Sequence, residues 1–199
     1  MALKTISKGT FQNSFEIKKS KFITIAAQIN SKEELIKFLL KYRDLEAQHN
    51  CYAYKIGVTQ QQGGFSDDSE PAGTAGKPIF NVIEKMELTN IAVLVIRHFG
   101  GTKLGAGPLT RAYTTSASEL LNSISLINLQ KAYKISFSFS IRDTKKVDAF
   151  LRQNDLLIKQ REYNHDPTYT VVCQNPKIFE ALSFLIANFK QEQIYIEMI

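Results

Sequence analysis

The chain has 199 residues, 44% hydrophobic and 22% charged, with a formal net charge of +6 at pH 7; this is the composition of a globular protein, not of a disordered or fibrous one. No apolar run approaches the ~20 residues of a membrane span, and the first residues lack the apolar centre of a secretion signal, so cytoplasmic residence without a membrane partner is the expectation. The two cysteines, Cys51 and Cys173, lie in different halves without metal-ligand spacing and are expected as buried thiols.

Residues 10–29 read as two strands, with Phe15, Ile17, Phe22, Ile23 and Ile25 around a polar turn at Lys18 to Lys21. Ser31 and Glu34 have capping-box spacing, and Leu35, Phe38, Leu39 and Tyr42 recur at helical period, which predicts an amphipathic helix over 32–46. Cys51 to Val58 reads as a strand introduced by Gln48-His49-Asn50, and Gln60 to Gly64 as a turn or mobile loop. The run from Ser66 to Pro78 (SDDSEPAGTAGKP) then leads into Ile79, Val82, Ile83 and Met86, with Pro78 suited to the first turn of a helix.

Ile91 to Ile96 is an unbroken apolar run, the pattern of a strand buried on both faces, and at Arg97 it gives way to charge and glycine. The loop that follows carries Gly100, Gly101, Gly105 and Gly107 before Pro108, and Leu109 to Ser123 reads as a helix. Free N–H groups at that helix start, beside Arg97, His98, Lys103 and Arg111, would suit a phosphate or carboxylate. Gly73, Thr74, Gly76 and Lys77 repeat the arrangement at the earlier helix start. The alternative is that the glycines only let the chain turn. Neither a Walker A spacing nor a dinucleotide fingerprint is present, so ATP and NAD are not expected.

A boundary near residue 130 separates residues 1–130 from 131–199, where strands at Tyr133–Ile141, Leu156–Tyr163, Thr168–Gln174 and Gln193–Ile199 and helices at Thr144–Asn154 and Pro176–Phe189 give the order β-α-β-β-α-β of ferredoxin-like folds. This module offers Lys145, Lys146, Arg152, Lys159 and Arg161, and the strand aromatics Phe137, Phe139, Tyr163, Tyr169 and Tyr195, outside any RNP pattern. Core packing accounts for most of the rings.

Asp67, Asp68 and Glu70 put three carboxylates in four positions, enough to hold a hard cation with a substrate phosphate, or else to cap the next helix or pair with Arg97 and Arg111. His49 and His98, at strand ends, are candidate general bases if they face the glycine loops. Ser66, Ser69, Thr74 and Cys51 sit in no nucleophile elbow.

DDSEPAGTAGKP, VIRHFGGTKLGAGPLTRAY and the segment His49-Asn50-Cys51-Tyr52-Ala53-Tyr54 together resemble the YigZ/IMPACT family over essentially the whole chain. The resemblance implies an α+β protein: an N-terminal domain like the second domain of small-subunit ribosomal protein five, then a ferredoxin-like domain resembling one in elongation factor G. It also implies a link to RNA, the ribosome or translation factors. The stress-kinase activator contacted by eukaryotic relatives is not carried over. Ser69 stands where the family commonly has glycine, which puts a positive backbone angle there in question, and Pro108 removes one N–H from the second glycine loop.

These readings converge on a non-catalytic cytoplasmic protein that engages RNA or the translation machinery through Arg97, His98, Gly100, Gly101, Lys103, Gly105, Gly107, Arg111, Gly73, Thr74, Gly76 and Lys77, with no metal or cofactor. Two alternatives stand beside it. One is an enzyme or small-ligand protein acting on a phosphorylated or acidic compound through His49, His98, Asp67, Asp68 and Glu70, with magnesium in one version. The other is a protein-docking module.

Overall fold

The computed structural model describes residues 3–197, with side chains at all of these except 195 and 197. The fold is α+β, in two compact units, one running to Leu129 and the other beginning at Gln130. The first contains β1 (Lys4–Ile6), β2 (Thr10–Ile17), β3 (Ser20–Gln28), α1 (Lys32–Tyr42), β4 (His49–Ile56), β5 (Gln62–Ser66), α2 (Gly76–Lys85), β6 (Ile91–His98) and α3 (Ala106–Ser123). Strands β2-β3-β6-β4-β5 form an antiparallel sheet in that order, with the apolar run of β6 at its centre.

Side chains alternate across a strand, and here the alternation divides β6 between two cores. Ile91, Val93 and Val95 pack with Ile79 and Ile83 of α2 and Leu109, Ala112 and Leu120 of α3. Ala92, Leu94 and Ile96 pack with Leu35 and Phe38 of α1. The same parity sends Arg97 to the α2–α3 side and His98 to the α1 side.

Several local expectations are revised. The helix expected over 32–46 ends at Tyr42; its start is fixed as expected, with Ser31 Oγ accepting from Glu34 N–H at 3.2 Å, while Glu34 Oε2 accepts from Asn30 N–H at 2.7 Å. The stretch read as a turn or mobile loop at Gln60 to Gly64 instead leads into edge strand β5. A Cβ on Gly63 would stand 2.7 Å from the Phe80 ring and one on Gly64 2.9 Å from the Tyr54 ring, so these glycines make room for aromatic rings. Helix α3 starts at Ala106, which puts Gly107 and Pro108 inside its first turn.

Strand β7 (Leu126–Phe139) crosses the division, and the second unit holds its part from residue 130 on, with α4 (Thr144–Gln153), β8 (Ile158–Tyr163), β9 (Pro167–Cys173), a 3₁₀ segment Pro176–Leu182, and β10 (Ile186–Glu197). Strand β7 begins earlier than expected, its residues 126–128 pairing with β1. The order β10-β7-β9-β8 is that of a ferredoxin-like β-α-β-β-α-β module whose second helix is shortened. Phe179 and Leu182, three residues apart, are both buried, a spacing that suits a 3₁₀ turn, and the chain is extended again by Ile186. The last two residues of the strand expected to reach Ile199, and the side chain of Tyr195, lie outside the described residues.

Phe137, Phe139 and Tyr169 face the core of this unit with Val147, Leu151 and Phe179. The other face of β7, β9 and β8 carries Ser136, Ser138, Thr168, Thr170, Gln160 and Glu162, with Ser136 Oγ and Thr170 Oγ1 hydrogen-bonded at 2.8 Å. It presents hydroxyls where a base-stacking sheet presents rings.

Gly100 and Gly101 separate two uses of glycine. A Cβ on Gly100 would overlap the backbone of Lys19 in the β2–β3 turn, whereas Gly101, at φ +86°, has nothing within 4 Å. Gly100→Ala is therefore expected to cost about 3 kcal/mol or more through overpacking, and Gly101→Ala only about 1–2 kcal/mol through its backbone angle. Urea unfolding of the two variants measures the difference.

Candidate functional site

The end of β6 and the loop after β5 meet around one buried ion pair. Arg97 Nη1 lies 2.6 Å from Glu70 Oε1, and the two side chains are 5% and 4% exposed. Tyr113 of α3 donates its hydroxyl to the same Oε1 at 2.8 Å, and Arg97 Nη2 is 3.5 Å from Ser20 Oγ. The guanidinium carbon stands 5.5 Å from the ring centres of both Phe22 and Phe99. Burial above all holds the Tyr113 hydroxyl far above its ordinary range, so it stays protonated and can donate to Glu70 while accepting from Cys51 Sγ at 3.4 Å.

His49, the antiparallel register partner of Arg97 on β4, joins this cluster. Its Nδ1 lies 2.9 Å from the carbonyl oxygen of Asp68, an atom that only accepts, so Nδ1 carries the hydrogen. In the neutral ring, Nε2 then presents a lone pair, 3.8 Å from Glu70 Oε2. His49, Glu70 and Arg97, with Pro71, Phe99, Lys103, Leu104, Gly105, Ala106 and Leu109, line a cavity of about 440 Å³.

The two glycine-rich helix starts have different fates. At α2 the amides are used internally: Asp67 accepts from Gly73 N–H at 2.8 Å, Ala75 N–H at 3.0 Å and Gly76 N–H at 2.8 Å. Burial raises the Asp67 pKa, but these three donors outweigh it and hold the carboxyl below its ordinary value. Thr74 Oγ1 donates to the Pro71 carbonyl at 2.6 Å, and Lys77 is exposed on α2. The expectation that Gly73, Thr74 and Gly76 receive an outside anion is therefore corrected, because the protein supplies its own. At α3, Gly105 at φ +80° caps the helix with no side-chain bond, and Gly105 and Ala106 border the cavity.

Other candidates are also reassigned. Arg97 is a buried ion-pair partner, not a surface phosphate arm. His98 points to the α1 side, with Nε2 3.1 Å from Asp44 Oδ2, and so leaves the cluster. Gly100 N–H is taken by Ser20 Oγ at 3.1 Å. Arg111 is exposed, its Nη1 3.7 Å from where a Gly107 Cβ would stand, over the first turn of α3. Asp68 Oδ2 accepts from Asn50 N–H, so the three carboxylates turn to three different partners, and no metal-binding group occurs among the described residues. Ser69 takes φ +70° despite its side chain. Cys51 donates to the Asp67 carbonyl at 3.0 Å, and burial pushes its thiol up to about 12, which suits structure and not nucleophilic attack. Tyr113 and Ser20 were missed as cluster members: one reads as helix core and the other as hairpin, 43 and 77 positions from their most telling contacts at Glu70 and Arg97.

Two outcomes follow from these contacts. Arg97→Ala leaves Glu70 charged and buried and is expected to cost about 3–5 kcal/mol, more than the double replacement Glu70→Gln with Arg97→Met; urea unfolding compares them. Asp67→Asn is expected to lose about 1–2 kcal/mol at neutral pH. Because the folded-state pKa of Asp67 is depressed, its contribution is complete above the unfolded value near 4 and disappears as pH falls through the folded value. The gap between wild type and Asp67→Asn should therefore close below about pH 4, as unfolding curves across that range would show.

Comparison with known proteins gives a consistent picture. The family model described as the Impact N-terminal domain matches residues 18–121. A Bacillus subtilis protein named IMPACT family member YvyE is 35% identical over 161 residues, covering 80% of this chain and 74% of the relative. Escherichia coli IMPACT family member YigZ is 32% identical over 180 residues, 88% of each chain. A crystal structure of a protein described only as hypothetical superposes with a TM-score of 0.68 at 26% identity, over 97% of both chains. With its first unit matched to the domain model and most of its length matched to curated members, the chain belongs to the IMPACT family.

Proposed function

We propose that the cavity beside Arg97 is a binding site for a small anionic ligand. The observation that carries this reading is the Arg97 side chain. It borders the cavity, it is almost wholly buried, and its Nε–H has no acceptor among the described residues. A buried donor left without a partner costs about 1–3 kcal/mol, and a carboxylate or phosphate oxygen would satisfy it. The start of α3 adds a helix dipole whose positive end borders the same space, and Lys103 adds a full charge. Pro71, Phe99, Leu104 and Leu109 supply apolar walls. A concave, largely apolar site with a few polar groups suits a small molecule better than a nucleic-acid backbone.

A second reading, engagement of RNA or the translation machinery, draws on the other unit. Arg152, Lys159 and Arg161 border a groove of about 670 Å³ whose other walls include Leu151, Leu156 and Leu157, with Asp148 as its one acidic residue. Its contacts would be with phosphates, because the open face of β7, β9 and β8 carries Ser136, Ser138, Thr168, Thr170, Gln160 and Glu162 in place of rings.

Titration of labelled protein with phosphate and with 4-methylpentanoate separates the readings. Saturable shifts at the amides of Gly105 and Ala106 are expected, and Lys103→Glu should weaken binding at least fivefold. Absence of saturation at tens of millimolar, together with salt-sensitive binding of single-stranded RNA, would overturn the pocket reading in favour of the second.

A further inference from the structure

The cavity has a second polar feature that an anion alone does not use. Glu70 Oε1 is occupied by Arg97 and Tyr113, while Oε2 accepts no hydrogen bond from a described residue. In the neutral ring His49 Nε2 offers its lone pair 3.8 Å away, because Nδ1–H is committed to the Asp68 carbonyl. That separation is too long for a direct hydrogen bond. Two acceptors, one of them charged, therefore share one corner of the cavity.

We infer that this corner receives a primary ammonium group, so that the ligand is a small zwitterion of the amino-acid class with an apolar side chain. This deepens the reading of the cavity as an anion site and depends on it. An ammonium group carries three N–H donors on one atom, enough to serve His49 Nε2 and Glu70 Oε2 together; a hydroxyl has one hydrogen and serves one of them. The charges also balance. Glu70 is already neutralised through Oε1 by Arg97, and a ligand bringing one positive and one negative group adds no net charge to a largely apolar space. The carboxylate would lie at the Arg97 side of the cavity, with Lys103 and the start of α3 beside it. Phe99, Leu104 and Leu109 would take the side chain, which favours leucine-like over polar amino acids. Lone amines are disfavoured because Arg97 and Lys103 would then face a cation with no anion between them.

The test uses three matched probes on the full chain, followed by calorimetry or amide shifts: L-leucine, 2-hydroxy-4-methylpentanoate and 4-methylpentanoate, which differ only in the group at the second carbon. L-Leucine is expected to bind at least tenfold more tightly than either of the others. His49→Asn keeps a donor for the Asp68 carbonyl but, being shorter, has no acceptor at the Nε2 position beside Glu70 Oε2, and it should shrink the leucine preference to threefold or less. Equal binding of all three probes by the wild type, or equal binding of the hydroxy acid and leucine, would overturn this inference and leave the anion site standing. Failure of all three to bind would remove the anion site itself. Because the probe series on the wild type decides the matter alone, a His49→Asn variant that folds poorly does not rescue the proposal.

Discussion

A charge pair taken out of water governs the first unit. Neither Glu70 nor Arg97 is stable alone in an interior position, since removing one partner from such a pair leaves an uncompensated buried charge costing several kcal/mol. The pair is 27 positions apart in sequence, so meeting it fixes where the loop after β5 lies relative to the end of β6. Tyr113 and Ser20 draw α3 and the β2–β3 hairpin to the same point. Four elements are thereby held to one centre, and the rings of Phe22 and Phe99 both lie close to the guanidinium.

The loop between β5 and α2 can adopt its shape because several unfavourable features are offset together. Asp68 and Ser69 both have positive φ, at 38° and 70°, conformations that cost L-residues about 1–2 kcal/mol each. Against that cost stand the three amide bonds to Asp67 and the Glu70–Arg97 contact. Loop strain at such a position is often found beside binding sites. Here the strained residues carry the carbonyl that orients His49, so backbone geometry reaches directly into the choice of imidazole tautomer.

The two helix starts show how a single residue redirects similar local chemistry. Both are glycine-rich and both lack a side-chain cap from their own N-cap residue. Asp67 lies close enough in the chain to fold onto the first, which becomes structural. The second has no acidic residue within its own loop, from Phe99 to Pro108, and is left facing the cavity. In the second unit, by contrast, Phe137, Phe139, Tyr169 and Phe179 serve the core that α4 and the 3₁₀ segment cover, and the polar face of β7 and β9 carries hydroxyls.

Much was legible in the chain itself. The apolar run of β6, the capping box before α1, the hairpin turn read at Lys18 to Lys21 and found narrower, at Lys18 and Lys19, and the element order of the second unit all rest on neighbours in sequence, where side-chain period and backbone preference act directly. The motifs around Asp67, Glu70, Arg97 and Gly100 also stood out by composition. What they do was not legible. Whether Arg97 meets solvent or Glu70, whether Asp67 holds a cation or caps α2, and whether His49 and His98 share a face depend on strand parity and on contacts across 27 to 77 positions. Strand propensity and glycine content are local quantities, whereas burial of a charge and the filling of a hydrogen bond depend on what the rest of the chain brings alongside; only the tertiary structure decides those.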